Sequence, residues 1–421
     1  MYRIQRAALA VGTTALVLAL TACQGSAVNQ AAGESPKGDG GLSEIVIGAL
    51  HPLTGANAAD GQQMANAAQL AAEAVNAAGG IKSLGGAKLK VESADTQGSP
   101  ETGQSEATRL IEDGAVALVG TFQSGTSANV ASVAERNAVP FVMDVSSLDE
   151  ILEQGYTYSF RLQPNASLMG KQGAQRLVEL AEDSGTPVRK VAFLYEMGNY
   201  GEAVYKGFME EAEAAGLAVD PVIGYDAAAV SDLTTQVQQV AASDADVLAV
   251  AGYYRDSLLA AQAVGLVKPD VTAVFGVADG AFDQDTFVTD APDGGEGYFD
   301  VNYRWDATNP ATVELAGLYE ERYGEAIRTS AVLTYDAIML LADALEAAGS
   351  TESAALRDAI RGSSYQPLVV SAGPVSFDPA GENTNAGAVV TQVLDGQVRQ
   401  VFPKDVAEVA YRFPAPSVGG E

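Results

Sequence analysis

Side chains that carry chemistry are scarce in this sequence. Its 421 residues include one cysteine, Cys23, and one histidine, His51. A single cysteine cannot form an intramolecular disulfide, and one cysteine with one histidine cannot build a zinc site. The sequence G-x-S-x-G is also absent, which disfavours a Ser-His-Asp hydrolase. We therefore expect no catalytic residue, no metal and no cofactor.

Positive charge is scarce as well. The chain has 24 Lys and Arg against 54 Asp and Glu, a net charge of −30. Such a protein repels phosphate backbones and anionic lipid surfaces, so nucleic acid is not an expected partner. Neither of the usual glycine-rich nucleotide-binding sequences is present. The acidic stretch 290–300 lacks the ligand spacing of an EF-hand, and we interpret it as a solvated loop, with a weak surface calcium site as the alternative.

The first residues are typical of a bacterial secretion signal. Two arginines precede the apolar stretch 7–20, which is too short to span a bilayer. The sequence LTAC, which ends at Cys23, resembles a lipobox, and the alternative is an ordinary signal with an accidental cysteine. We predict a signal peptide over 1–22, a lipid on Cys23, a flexible tether over 23–42 and an extracytoplasmic protein anchored to the outer face of the cell membrane.

Short apolar runs alternate twice with segments of helical periodicity, first over 44–144 and again over 189–277. Continuous apolar runs are typical of parallel strands that are buried on both faces. We predict an α/β fold with two Rossmann-like lobes, in which parallel sheets are flanked by helices and joined by a multi-strand hinge. The predicted division is 43–162 with 301–370 for lobe 1 and 163–300 with 371–415 for lobe 2, with hinge strands near 161–164 and 299–303. Later elements are a strand at 297–305, a helix at 333–349 and β segments at 373–378 and 387–398.

Hydroxyl residues follow two neighbouring strands of the first series. Ser124 lies after the strand that ends at Gly120 and starts a helical pattern, and Ser146 and Ser147 follow the next strand. Parallel strands end at one edge of a sheet, and a helix N-terminus offers unpaired N–H groups. These residues therefore predict a carboxylate-binding site. The alternative for Ser124 is a plain helix N-cap.

Aromatic and acidic side chains follow strands of the second series: Tyr200, Tyr253 and Asp279. Aromatic faces suit an apolar ligand stem, and a partly buried carboxylate needs a cationic partner such as an ammonium group. Turn residues at the sheet edge are the structural alternative. One wall for a carboxylate and another for an ammonium group together predict a zwitterionic, amino-acid-like ligand.

Six segments carry a resemblance to a known family: HPLTG (51–55), EAVNAAGGI (73–81), VGTFQSGT (119–126), NYGEA (199–203), GYYRD (252–256) and TYDAIMLLADAL (334–345). From residue 44 to its end the chain resembles the type I periplasmic binding proteins that deliver branched-chain amino acids to ABC importers. The resemblance implies capture of the ligand by closure of two lobes, and permease subunits as partners. We expect a monomer.

The resemblance also implies binding roles. Ser124 matches the serine that binds the ligand α-carboxylate, and Val145, Ser146 and Ser147 match the segment that holds both α-groups. Tyr200 and Tyr253 match tyrosines of the closing lobe, Asp279 (or Ala278 in its place) matches the acid that pairs with the α-ammonium, and Phe122 occupies a side-chain pocket position.

Asp60 departs from the pattern of branched-chain binders, in which the residue before Gly61 is often aromatic or apolar. An acid there would suit a polar or cationic ligand group better than a leucine side chain. A branched-chain or other aliphatic amino acid is the expected ligand. Amides, urea-like compounds and aromatic acids are alternatives, as is a receptor that reports to a membrane sensor.

Overall fold

The computed structural model describes residues 42–415. The predicted signal peptide, Cys23 and nearly all of the predicted tether lie outside the described residues. Within 42–415 no helix combines the length and apolarity needed to cross a bilayer.

The strands are β1 Glu44–His51, β2 Lys88–Asp95, β3 Ala117–Gly120, β4 Phe141–Met143, β5 Ser159–Arg161, β6 Lys190–Glu196, β7 Ala218–Tyr225, β8 Val247–Ala251, β9 Ala273–Val277, β10 Phe299–Asn302, β11 Val389–Leu394 and β12 Gln397–Phe402. The helices are α1 Ala58–Ala77, α2 Pro100–Glu112, α3 Ser124–Asn137, α4 Ala166–Ser184, α5 Asn199–Ala214, α6 Thr234–Ala241, α7 Tyr254–Val267, α8 Asp285–Asp290, α9 Pro310–Tyr323, α10 Thr329–Ala348 and α11 Ser353–Arg361.

The first sheet has five parallel strands in the order β2-β1-β3-β4-β5. Side chains of β1 alternate between its faces: Ile47 and Ala49 pack in a core with α1 and α10, whereas Leu50 packs in a second core with α2 and α3. Burial on both faces explains the continuous apolar runs of these strands. We call this sheet, with α1–α3 and α9–α11, the first lobe.

The second sheet has seven strands in the order β12-β11-β10-β9-β8-β6-β7. Strands β6–β10 are parallel to one another, and β11 and β12 add an antiparallel hairpin. Asp395 and Gly396 join that hairpin with φ of 53° and 74°, which is the two-residue turn that an Asp-Gly pair favours. Helices α4–α8 pack on this sheet, and together they form the second lobe.

The chain passes between the lobes at three places: after β5, after β10 and before β11. These crossings are tied to one another by hydrogen bonds, such as Asn383 Nδ2 to Leu162 O (2.9 Å) and the N–H of Val370 to Arg304 O (2.8 Å). The predicted strand at 373–378 is wrong, because the segment makes only an isolated pairing between Phe377 and Asn383. Pro374 lies within the segment and Pro379 follows it directly, and proline cannot donate to a strand ladder.

Helix α4 was not predicted, and its two glycines explain why. A Cβ on Gly170 would lie 2.1 Å from Val204 O in α5, and a Cβ on Gly173 would lie 2.5 Å from Val277. On the facing helix, a Cβ on Gly207 would lie 2.1 Å from Ser167 O. The glycines that weaken the helical pattern are therefore the residues that let α4 approach α5 and β9 closely.

Replacing Gly207 with alanine is expected to lower the free energy of unfolding by about 1–3 kcal/mol, because the methyl group must push two helices apart. Gly317→Ala in α9 is the matched control, since nothing lies within 4 Å of its added Cβ, and it should be neutral or stabilising. Denaturant unfolding of both variants checks this. Equal stability of the two would contradict the close packing of α4 and α5.

Candidate functional site

The first wall of the site starts at the carboxyl end of β3. Gly120 has φ of +138°, and a Cβ there would lie 2.3 Å from Leu50 O, so only glycine fits. The hydroxyls of Thr121 and Ser127 lie 2.8 Å apart, and Thr121 Oγ1 donates to Gln123 O at 3.0 Å. These bonds fix the turn that leads from β3 into α3.

Ser124 is the first residue of α3 and is partly buried. The N-cap is Gln123, whose side chain makes no capping bond. The Ser124 hydroxyl does not cap the helix either, and it makes no hydrogen bond to any residue of the described chain. A hydroxyl and the unpaired N–H groups of a helix start are therefore left for another partner.

Ser146 and Ser147 follow β4 and are buried, as is Val145, whose side chain joins the first-lobe core. Residues at the first crossing between the lobes, which we call the hinge together with the other two crossings, bind their backbone carbonyls. Arg161 Nη1 donates to Ser147 O (2.8 Å) and Gln163 Nε2 donates to Ser146 O (2.5 Å). These two carbonyls are thus already engaged, and this segment offers a ligand its hydroxyls and N–H groups.

Phe122 is partly buried and packs against the core that contains α1 and α10. Asp60, on the first turn of α1, forms an ion pair with Arg328 at 2.8 Å between Oδ1 and Nη1. The acid that departs from the family pattern therefore already has a cationic partner. Sequence reasoning missed Arg328, because 268 residues separate it from Asp60 and nothing local marks the pair.

The second wall brings Tyr200 and Tyr253 together, with ring centroids 5.5 Å apart. The Tyr200 hydroxyl donates to Ala278 O, and burial raises the pKa of Tyr200, so this phenol stays a donor. Tyr253 lies at the start of α7 and is 49% exposed. An exposed aromatic ring beside a partly buried one is suited to covering an apolar ligand stem.

Asp279 follows β9 and has no exposed surface. Its Oδ2 accepts from Ser257 Oγ at 2.6 Å, and its Oδ1 accepts from the N–H groups of Ala281 and Phe282 at 2.9 and 3.3 Å. Burial raises the pKa of Asp279 well above the usual range. In this structure its acceptors are satisfied within the second lobe, and its contact with a ligand ammonium stays a prediction.

Other buried carboxylates line the same strand ends. Glu196 accepts from the N–H groups of Gly198 (2.6 Å) and Gly201 (2.7 Å), and Asp256 accepts from the Tyr225 hydroxyl at 2.6 Å. Asp300 accepts from the N–H of Asp279 at 3.2 Å. Burial raises the pKa of all three. Acids inside apolar runs, as in FLYE and YFDVN, were the sequence signal that could have revealed Glu196 and Asp300. No cluster within residues 42–415 has the His, Cys, Asp and Glu grouping that would hold a metal ion.

Two further acids, Asp283 and Asp336, predict the pH dependence of stability. Burial raises the pKa of Asp283 to about 6 and that of Asp336 to about 7. The folded state then holds protons that the unfolded chain has released, so stability should fall as pH rises from about 4 to about 7. The melting temperature should be roughly a few degrees higher at pH 5.5 than at pH 7.5. Calorimetry at both pH values measures the sign of this difference in melting temperature. Asp336→Asn should make the difference smaller. A melting temperature that rises with pH would contradict the raised pKa values of these two acids.

Comparison with known proteins identifies the family of this chain. Residues 44–397 match the family described as periplasmic binding protein. The chain belongs to this family. It is 30% identical over 383 residues to Leu/Ile/Val-binding protein homolog 8 of Brucella abortus (strain 2308), with 88% of this chain and 94% of the relative covered.

Solved structures share the fold. A leucine-binding protein of Thermotoga maritima matches with a TM-score of 0.73 at 23% identity, over 86% of this chain and 99% of that protein. An ABC transporter solute-binding protein of R. palustris, solved with benzoate, matches with a TM-score of 0.71 at 19% identity, over 90% and 98%. The fold is therefore that of the type I periplasmic binding proteins, as predicted. Family members bind small solutes outside the cytoplasm for ABC permeases, and the family is not one of enzymes.

Proposed function

We propose that this periplasmic binding protein captures a small zwitterionic, amino-acid-like ligand between its lobes and presents it to ABC permease subunits. The observation that carries the proposal is the Ser124 hydroxyl, which has no hydrogen-bond partner within residues 42–415. It lies at the start of α3, where a helix N-terminus attracts a carboxylate. The second lobe supplies paired tyrosines and several carboxylates for the remainder of the ligand.

The assigned contacts follow from this placement. Ser124 and Ser147 hold the α-carboxylate, with Val145 and Ser146 in the same segment, and Phe122 contacts the side chain. Tyr200, Tyr253 and Asp279 are brought in when the second lobe rotates about the hinge, which excludes water from the ligand. The predicted lobes, 43–162 with 301–370 and 163–300 with 371–415, are the bodies that move.

A branched-chain or other aliphatic amino acid is the first choice of ligand, because the relative named above is a Leu/Ile/Val-binding protein homologue. An aromatic acid is the second candidate, because a protein of the same fold was solved with benzoate. A lipid on Cys23 would keep the monomeric binding protein at the outer face of the membrane. Cys23→Ser should release it into the soluble fraction, and unchanged membrane association would contradict the anchor.

A thermal-shift screen tests the ligand class. The chain from residue 43 onward is heated with each amino acid, with amides and with small carboxylates, and a ligand present at 100 times its Kd should stabilise the protein by about 2.7 kcal/mol. The proposal expects the shift from an α-amino acid. If benzoate or another carboxylate without an amino group shifts the melting temperature and no amino acid does, the proposal of a zwitterionic ligand is refuted.

A further inference from the structure

A buried polar cluster lies where the first-lobe strands end, and the proposed ligand contacts do not use it. His51, the last residue of β1, places Nε2 2.9 Å from Asp144 Oδ2, and Thr334 Oγ1 of α10 donates to the same oxygen at 2.8 Å. All three side chains are fully buried. The last β1 residue thus continues the face that Ile47 and Ala49 present to α10.

Three atoms of this cluster have no hydrogen-bond partner among residues 42–415: Asp144 Oδ1, His51 Nδ1 and Ser330 Oγ. When His51 donates from Nε2 to Asp144, its Nδ1 is a bare acceptor. Asp144 Oδ1 is a second acceptor without a donor. Ser330 lies one helical turn before Thr334, and the Thr334 hydroxyl also lies 3.1 Å from Ser330 O. Buried acceptors without donors are costly, which is why they are rare in folded proteins.

Tyr303 connects the neighbourhood of this cluster with the second lobe. Tyr303, on the segment that crosses back from β10, packs against the cores of both lobes. Burial raises its pKa, and carboxylates of both lobes, Asp144 among them, raise it further. The Tyr303 hydroxyl makes no hydrogen bond within the described chain, so it adds another polar group without a partner near Asp144.

The second wall differs in this respect. Both oxygens of Asp279 and both oxygens of Glu196 already accept hydrogen bonds from their own lobe. The first-lobe cluster, by contrast, contains two fully buried acceptors without donors among residues 42–415, Asp144 Oδ1 and His51 Nδ1.

We propose that the ligand carries a hydrogen-bond donor on its side chain, and that Asp144 and His51 accept from it. This rests on the proposed amino-acid class, but it replaces the first-choice aliphatic side chain with one of similar size that ends in an amide or hydroxyl group. A purely aliphatic side chain would leave both acceptors unpaired in a closed cleft, and sites built to hydrogen-bond a substrate group discriminate strongly against analogues that lack it.

Isosteric pairs test the inference by calorimetric titration of the chain from residue 43 onward. Asparagine has the shape of leucine, and threonine has the shape of valine, so each pair differs in polarity with little change in volume. The donor-bearing member should bind at least about tenfold more tightly. Affinities within threefold of each other, the result expected if an ordered water satisfies the cluster, or tighter binding of leucine and valine, would overturn the inference.

Asp144→Asn turns one acceptor into a donor and should reduce the preference at least about fivefold. Asp336→Asn is the matched control, because Asp336 is equally buried but both of its oxygens are satisfied by Tyr365, Leu368 and Val369. It should leave the preference unchanged, and an Asp144→Asn protein that folds and keeps the full preference would overturn the inference.

Failure of the proposed function is separable from failure of this inference. If benzoate binds and no amino acid does, the proposal of a zwitterionic ligand is wrong. The affinity for 4-hydroxybenzoate relative to that for benzoate then decides whether Asp144 and His51 accept a hydrogen bond from the ligand. If the panel contains no donor-bearing compound that binds, the inference is overturned.

Discussion

Replacing Ser124 and Ser147 together with alanine is expected to raise the Kd of the preferred ligand at least about a hundredfold, because hydrogen bonds to a charged group contribute roughly 1.5–3 kcal/mol each. The melting curve without ligand should stay nearly unchanged. Ser124 does not cap α3, and the Ser147 hydroxyl makes no hydrogen bond within residues 42–415. Calorimetric titration gives the affinity, and thermal unfolding gives the stability.

Ser105→Ala is the control for this double variant, because Ser105 is exposed and its hydroxyl bonds only to backbone carbonyls of its own helix. It should change neither quantity. Two results would count against the account. One is an affinity within threefold of the unaltered protein, and the other is a loss of folding that would show the serines to be structural.

Arg161→Met is expected to lower the free energy of unfolding by about 3–5 kcal/mol, as removal of one partner from a buried ionic site usually does. Arg161 has no exposed surface, and its guanidinium donates to Ser147 O and Leu148 O at 2.8 and 2.5 Å. It also lies 3.5 Å from Glu382. Burial lowers the pKa of Arg161, which reflects the cost of holding this charge inside the hinge.

Denaturant unfolding measures the effect, and Arg109→Met provides the control. Arg109 pairs with Glu106 and Asp113 on an exposed helix surface, where such pairs contribute about 0–1 kcal/mol. Arg161→Met combined with Glu382→Gln should lose less than the sum of the two single changes, because the second change removes the carboxylate left unpaired. A loss below about 1 kcal/mol for Arg161→Met would contradict a structural role for this residue in the hinge.

Much of the fold was predictable because its signals are local. Runs such as IVIGAL and VLAVA are buried on both faces, and the helices between them have helical periodicity. Helix α4 was the largest omission, since Gly170 and Gly173 weaken its pattern for a reason that lies on α5 and β9. A close approach between two elements is a property of the pair, and neither segment alone reveals it.

The candidate site likewise has a part that the sequence predicts and a part that it does not. The positions of Ser124, Tyr200 and Tyr253 at strand ends follow from the order of strands and helices, and the structure places them there. The pairing of His51 with Asp144 spans 93 residues, and that of Asp60 with Arg328 is longer still. Such pairs depend on how the strand ends and helix starts converge in space. The sequence showed the acids but not which of them would have free oxygens.

Small-angle X-ray scattering can show whether the two lobes close upon the ligand. The chain from residue 43 onward is measured alone and with saturating amounts of the amino acid that gives the largest thermal shift. The account predicts a smaller radius of gyration with the ligand, because the lobes rotate together about the three crossings. An unchanged radius at full occupancy would contradict capture by closure.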